Sequence, residues 1–373
     1  MKEFKLMNLS ETDIESELEK IGFDASYRKI ASDKFIYKNI KIFDLTPTQI
    51  NIIKQTALSV GADCASHKDV ITGSIDKSNA VLGGSYSQIK KIAEKLKSQP
   101  FSLSSLSDYL LNELEIRNTH TKLVGILNVT PNSFSDGGMY LEPKSAIKHA
   151  YQLIADGADI IDIGAESTKP FSDAVNAREQ IKRLKPVLQG LTEINIPISI
   201  DTRSSEVADF CLNNGVSIIN DVSGLDYDSQ MINVISKYKA TVIIQHSKGT
   251  PENMQINPTY QSVVEDVYLN LYDKIDYAKS KGITNIIADV GIGFGKLKDD
   301  NFKLLNNIEC FKSLNVPLMI GLSRKSLLGI KEDDNILKDS LSLALSYPLI
   351  KCNVDFLRVH NVKLHKQLLN LTI

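Results

Sequence analysis

Acids, amides and cations recur where short apolar runs of this chain end, and together they describe a binding site for two kinds of chemical group. Asp201, Asn220 and Asp289 each close a run rich in Ile or Val. Carboxylates only accept hydrogen bonds and an amide does both, so this set suits a flat heterocycle rich in N–H donors. Lys169, Lys325, Arg358 and His360 suit an anion, with the arginine offering a fork that matches phosphate or carboxylate. Asn128 is a neutral oxygen donor able to help hold Mg2+ while substrate phosphates supply other ligands. A heterocycle beside a phosphorylated group points to a transferase or to a reaction that eliminates phosphate. Taken singly, each residue has an ordinary explanation. An Asp after a strand often caps the next helix, and the turn Gly291–Lys296 alone is a weak sign of phosphate binding. Their convergence is what informs, because buried polar groups cost free energy unless paired or occupied.

The richest stretch is GILNVTPNSFSDGG, residues 125–138. Its apolar start reads as a strand and its continuation as a polar loop holding Asn128, Thr130, Asn132, Ser133, Ser135 and Asp136. Pro131 restricts the loop and Gly137–Gly138 free its far end. Such transitions place functional groups at the mouth of an α/β fold.

The elements that must position these groups follow one another regularly from about Lys122 onward. Strands are expected at Leu123–Val129, Ile160–Gly164, Pro197–Asp201, Ser217–Asp221, Thr241–His246, Asn285–Val290, Pro317–Gly321 and Asp355–Val359. Each is short and apolar, as parallel strands covered on both faces should be. Helical segments lie between them; the first spaces Ala146, Ile147, Ala150, Leu153 and Ile154 by threes and fours and stops near Gly157. Eight such units in roughly 250 residues fit a closed (β/α)8 barrel. An open doubly wound sheet is the alternative, but the first turn lacks a dinucleotide-type glycine pattern. The functional groups then lie at the C-terminal strand ends.

Residues 1–118 read as a small α/β domain with a connector, and residues 119–373 as the barrel. In the first part, Phe35–Asp44 includes an alternating run, Thr46–Val60 a helix, Gln88–Lys97 an amphipathic helix and Leu106–Glu115 a further helix. Nothing in this part looks catalytic. The net charge of −2 over 373 residues gives no support to nucleic-acid binding. Cys64, Cys211, Cys310 and Cys352 are scattered, which suggests buried thiols rather than a zinc site or disulfides. No signal-peptide core or membrane-length apolar run is present, so a cytoplasmic protein without a membrane partner is expected.

Read together, GILNVTPNSFSDGG, DIGAESTKP, SIDTRSSEV, IINDVSG, HSKGTPENMQ, DVGIGFGK, GLSRKSLLG and RVHNV resemble, in this order, the dihydropteroate synthase family. The resemblance covers about residues 123–362. It implies a transferase of folate biosynthesis and sulfonamide target, joining 6-hydroxymethyl-7,8-dihydropterin pyrophosphate to 4-aminobenzoate to give 7,8-dihydropteroate and pyrophosphate. Carried over by position, Asp201, Asn220 and Asp289 hold the pterin edge and Lys325 reaches the ring. Asn128, Arg358 and His360 bind pyrophosphate, with Asn128 also contacting Mg2+. Thr130, Pro131, Phe134, Ser167, Thr168, Lys169, Pro170 and Ser326 serve 4-aminobenzoate, and Asp136, Asp289 and Lys325 are the catalytic set. The resemblance also implies a homodimer. Four positions depart from the common pattern: Asn132 for Asp, Lys169 for Arg, Val290 for Pro and Asn361 for Asp. The alternatives are a pterin-binding barrel of the methyltetrahydrofolate:corrinoid methyltransferase type and a non-catalytic pterin-binding protein.

Overall fold

The computed structural model describes residues 5–7, 9, 14–115, 120–130, 143–166, 174–249, 254, 256, 258–330 and 334–372, apart from the side chain of Ser326. The chain splits into two units, Met1–Arg117 and Asn118–Ile373.

In the first unit, α1 (Ile14–Lys20) and α2 (Arg28–Ser32) precede β1 (Tyr37–Leu45), α3 (Pro47–Leu58), β2 (Asp63–Ser66), β3 (Ser78–Ser85), α4 (Tyr86–Leu96) and α5 (Leu103–Asn112). The three strands form an antiparallel sheet in the order β1-β3-β2. Capping boxes start both major helices: Thr46 with Gln49 at α3, followed by Pro47, and Ser85 with Gln88 at α4. Each box satisfies backbone groups that the first turn would otherwise leave unpaired. Ile50 and Ile53 of α3, Leu82 of β3, Ile89, Ile92 and Leu96 of α4 and Leu103 and Leu110 of α5 make the core. The sequence pattern had not indicated β2 or β3. In β3 the Gly83–Gly84 pair interrupts the alternation, and a Cβ at Gly83 would lie 2.7 Å from the hydroxyl at the end of the half-exposed Tyr37 side chain.

In the second unit, eight strands among the described residues close into a parallel barrel: β4 (Lys122–Asn128), β5 (Ile160–Gly164), β6 (Ile198–Asp201), β7 (Ile218–Asp221), β8 (Thr241–Gln245), β9 (Ile286–Asp289), β10 (Leu318–Ile320) and β11 (Phe356–Val359). The helices that follow are α6 (Pro143–Ala155), α7 (Ala177–Gly190), α8 (Ser205–Leu212), α9 (Met231–Tyr238), α10 (Val263–Ser280), α11 (Lys298–Asn306), α12 (Asn335–Lys351) and α13 (Val362–Thr372). The expected (β/α)8 architecture is therefore observed, with strand limits within a residue or two. Outward-facing strand residues such as Leu123, Ile163, Ile200, Ile219, Ile244 and Ala288 pack with the helices in one continuous core.

The barrel interior is layered. Val124, Ile160, Ile218, Ile243, Ile287, Met319 and Phe356 form an apolar floor. Because side chains two apart on a strand share a face, the residues above Ile160, Ile218, Ile243, Ile287 and Phe356 are Asp162, Asn220, Gln245, Asp289 and Arg358. The fold thus stacks a polar layer directly on the floor at the C-terminal mouth. Two of the four cysteines depart from expectation, since Cys310 is exposed and Cys352 only half-buried, while Cys64 and Cys211 are buried. Among the described residues, no helix is long and apolar enough to cross a membrane.

Candidate active site

Strand register assembles the rim. Asn128 stands opposite Gly164, Gly164 opposite Asp201, and Asp201 opposite Asn220. Across the mouth, Gln245 pairs with Asp289, and Asp289 with Met319. Asp162, Asp201, Asn220 and Asp289 are all buried.

Arg358 joins two of these acids. Its Nε donates to Asp162 Oδ2 and its Nη2 to Asp201 Oδ2, both at 2.6 Å. Asn220 Nδ2 donates to the same Asp162 oxygen at 3.1 Å. Asp162 Oδ1, Asp201 Oδ1, Asn220 Oδ1 and Ser199 Oγ remain buried without a hydrogen-bond partner among the described residues. Each such atom costs about 1–3 kcal/mol if left unpaired. A group of orphaned acceptor oxygens at the C-terminal end of the barrel suits a ligand with several N–H donors. Burial pushes the Asp201 carboxyl up to about 7, against the pull of Arg358 and with Asp162 adding to the rise. Burial also opposes the Arg358 charge, but Asp162 and Asp201 more than offset it and raise its pKa.

The glycine-rich turn after β9 shapes the opposite wall. Gly291 N donates to Asp289 Oδ1 at 2.7 Å, and burial raises the Asp289 pKa against the pull of Lys325. Gly291 and Gly295 have φ of 66° and 62°, and a Cβ on either would lie 1.8 Å from His246 O or 2.2 Å from Lys248 O. Only glycine fits both the conformation and the space. Lys296 is enclosed by this turn, its amine meeting the carbonyls of Gly291 and Phe294 at 2.9 Å each and His246 Nδ1 at 2.8 Å. Lys325 donates to Ile292 O and sits 4.6 Å above the Phe294 ring. Burial draws Lys325 down to about 8, with Asp289 opposing.

On the remaining side, His360 N and Nδ1 lie 3.2 and 3.1 Å from Ser323 Oγ. Arg324 makes a fork to Asp339 of α12 at 2.7 and 2.9 Å, and Asn361 Nδ2 donates to Asp339 Oδ2 at 3.0 Å. The loops after β10 and β11 are thereby tied together.

The fold therefore brings Asn128, Asp201, Asn220, Asp289, Lys325, Arg358 and His360 to one end of the barrel, with Thr130 buried just beyond β4. Pro131, Asn132, Phe134, Asp136, Ser167, Thr168, Lys169, Pro170 and the side chain of Ser326 lie outside the described residues. Val290, the residue in the place of Pro, is buried in the core. Sequence reading gave Asp162 no role, although its position two residues above Ile160 marks it as inward-facing. It also gave none to the buried Glu166–Arg203 pair, whose members lie 37 residues apart and share no local signal. Among the described residues, no group of three or more His, Cys, Asp or Glu is placed to hold a metal ion.

Residues 124–360 match the family model of pterin-binding enzymes, which defines the class of this barrel. A Helicobacter pylori protein named bifunctional dihydropteroate synthase/dihydropteroate reductase is 32% identical over 95% of both chains. A Haloferax volcanii protein named probable bifunctional folylpolyglutamate synthase/dihydropteroate synthase is 33% identical over 84% of this chain, which spans only 40% of its length. The crystal structure of Yersinia pestis dihydropteroate synthase with a sulfonamide drug superposes with a TM-score of 0.64 at 31% identity, covering 68% of this chain and 92% of that one. The chain belongs to the dihydropteroate synthase family of pterin-binding enzymes.

Proposed function

We propose that the chain catalyses the family reaction, condensing 6-hydroxymethyl-7,8-dihydropterin pyrophosphate with 4-aminobenzoate to give 7,8-dihydropteroate and pyrophosphate. The observation that carries this reading is the set of unpartnered acceptor oxygens on Asp162, Asp201 and Asn220. A pterin edge presents several N–H donors, and these acceptors match them.

On this reading Asp201, Asn220 and Asp289 bind the pterin, while Lys325 fixes the ring from the turn side. Arg358, which contacts the pterin acids, also lies beside the pyrophosphate, with His360 on the neighbouring loop. The bond that breaks joins a CH2 carbon to a pyrophosphate oxygen, and the bond that forms joins that carbon to the aminobenzoate nitrogen. The amine loses a proton to solvent as pyrophosphate leaves. An electron-rich dihydropterin stabilises cationic character at the CH2, and Asp289 and Asp136 reinforce it electrostatically. Aminobenzoate is a weak nucleophile, so positioning by Thr130, Pro131, Phe134, Ser167–Pro170 and Ser326 contributes more than a strong base.

Asn128 fits a magnesium ion carried in by the substrate. It is one neutral oxygen donor at the rim without a side-chain partner among the described residues, and Mg2+ commonly keeps waters and substrate phosphates as its other ligands. When bound, Mg2+ neutralises charge that develops on the leaving pyrophosphate.

The deciding experiment follows pyrophosphate release by the purified chain with both substrates and Mg2+; a well-folded chain without turnover would overturn the assignment. A second reading rests on the Helicobacter pylori relative, which aligns across both units: dihydropteroate reduction by the same chain. Loss of 7,8-dihydropteroate in the presence of a reduced nicotinamide, measured on the full chain, tests it. We further propose a cytoplasmic homodimer associating through the outer face of α12, where Ile336, Leu337, Leu341 and Tyr347 are exposed.

A further inference from the structure

We propose that Lys296 and Asn301 are positioning residues for the pterin, holding the turn after β9 as a platform on which the Lys325 amine is seated. The inference rests on the function proposed above and concerns its pterin side. Gly291–Lys296 has the glycine-rich, lysine-ended form of a phosphate cradle, in which the lysine would reach out to an anion. Here it reaches inward. Lys296 is 2% exposed, and its amine meets Gly291 O and Phe294 O at 2.9 Å each, His246 O at 3.3 Å and His246 Nδ1 at 2.8 Å. An ammonium has three donors and no acceptor, so four acceptors of this chain occupy it fully.

Asn301 holds the same turn from α11 and is equally buried. Its Oδ1 accepts from Gly293 N at 2.7 Å, and its Nδ2 donates to Leu297 O at 2.8 Å and to Lys296 O at 3.4 Å. Tyr260 Oη donates to Gly295 O at 2.7 Å. The carbonyls of Gly291, Phe294, Gly295 and Lys296 are thus engaged within the turn's own surroundings, and that of Ile292 receives Lys325. The Phe294 ring lies 4.6 Å from the same amine. A Cβ on Gly293 would lie 3.2 Å from Lys325 Cδ, so the lysine stem runs directly along the turn backbone. At the turn's start, Gly291 N fixes Asp289 Oδ1.

Stability alone does not call for a lysine at this place. Burial opposes its charge and draws its pKa well below the usual lysine value, a cost that an apolar side chain avoids. What the amine supplies is geometry. Glycines at 291, 293 and 295 let the backbone make the turn and leave it little stiffness of its own. The buried amine and amide fix its peptide groups, and with them the seat of Lys325 and the orientation of Asp289.

The test compares wild type with Lys296→Met, which removes the amine and keeps an unbranched side chain. Calorimetry gives the affinity for 6-hydroxymethylpterin and for its pyrophosphate ester, and steady-state kinetics the KM for 4-aminobenzoate at saturating ester. Both pterin affinities should fall about tenfold, the scale of modest misplacement, while the aminobenzoate KM stays within about twofold. A loss confined to the ester would make the turn a phosphate cradle and overturn the proposal, as would unchanged affinities or an equal loss in aminobenzoate KM. Because Lys296 acts through Lys325, Lys296→Met should cost less than about threefold further in a Lys325→Met background. A full second loss there would mark Lys296 as structural only and overturn the proposal. If Lys296→Met does not fold, Asn301→Ala decides the matter through the same two affinities: both should fall together, and no change overturns the proposal. Absence of turnover by wild type would instead overturn the function on which the inference rests.

Discussion

Arg358 Nη2 lies 2.6 Å from Asp201 Oδ2, although 157 residues separate the two in sequence. The same guanidinium holds Asp162 through Nε, so one cation keeps two buried carboxylates side by side on neighbouring strands. Each acid gives one oxygen to arginine, and its second has no hydrogen-bond partner among the described residues. On the proposed function, the residue assigned to pyrophosphate would thus also shape the proposed pterin-binding surface.

Arg358→Lys should therefore weaken more than pyrophosphate binding. Lysine keeps the charge but cannot fork two carboxylates. The expected loss is roughly 1.5–3 kcal/mol for 6-hydroxymethylpterin lacking any phosphate, as well as for the pyrophosphate ester, by calorimetry. An unchanged affinity for the unphosphorylated pterin would show that the Asp201 contact plays no part in pterin binding.

Activity should follow a narrow bell with pH. Pterin N–H groups need Asp201 ionised, and its pKa is raised to about 7 by burial. Lys325 must keep its proton, and burial lowers it to about 8. The kcat/KM for pterin pyrophosphate should rise as pH passes 7 and fall as it passes 8, with Asp201→Asn abolishing the acid limb. Ligand donors favour the carboxylate, so binding near pH 7 should release protons. Stability carries the opposite trend from Asp201: its folded pKa exceeds the unfolded value of about 3.9, so its contribution is present below that value and is lost as pH rises through about 7. A flat rate profile from pH 6 to 9 would count against both assignments.

The barrel was legible because parallel strands buried on both faces leave short runs of Ile and Val, and the turns after them supply polar residues. The polar layer was legible for the same reason: Asp289 stands two residues above Ile287, as Asn220 does above Ile218. What escaped were relations across the barrel. Arg358 meets Asp162 and Asp201 through closure of the ring, and period-two patterns carry no information about which strands become neighbours at a distance. Glu166 and Arg203 escaped likewise, since burial of charge follows from packing that no local window records. In the first unit β3 was hidden by the Gly83–Gly84 pair, which interrupts its alternation.

Asn361, one of the four departures from the family pattern, has a structural reason in this chain. Its Nδ2 donates to Asp339 while its Oδ1 accepts Leu364 N at 3.1 Å, starting α13. Asn361→Asp would turn the first contact into two facing oxygens, with Arg324 beside Asp339 and His365 of α13 nearby. The variant should lose about 1–3 kcal/mol at neutral pH, a fall of roughly 2–12 °C in Tm at 2–4 °C per kcal/mol. The introduced carboxylate would have a raised pKa in the folded state, so the loss should shrink as pH falls toward 5. Thermal melts at pH 5 and 8 check this, and equal losses at both would refute the contact.

The same network accounts for the polar residues on the inner face of α12. Its inner face carries Asp339, which holds Arg324, Ser342, whose Oγ accepts Arg324 N at 3.2 Å, and Ser346, which meets His365 Nε2 at 3.2 Å. With part of the inner face given to these polar contacts, four of the helix's apolar residues lie outward, while Leu349 and Ile350 stay buried. Ile336 is 82% exposed and Leu337, Leu341 and Tyr347 are 44%, 36% and 47% exposed. Leu337 and Leu341 are four residues apart and so share one face of the helix, and an exposed apolar stripe suits a two-fold interface. Wild type should sediment as a dimer, and Leu337→Lys/Leu341→Lys should sediment as a monomer with the barrel intact, because both side chains point away from Asp339. A monomeric wild type, or a variant that remains dimeric, would remove α12 as the interface.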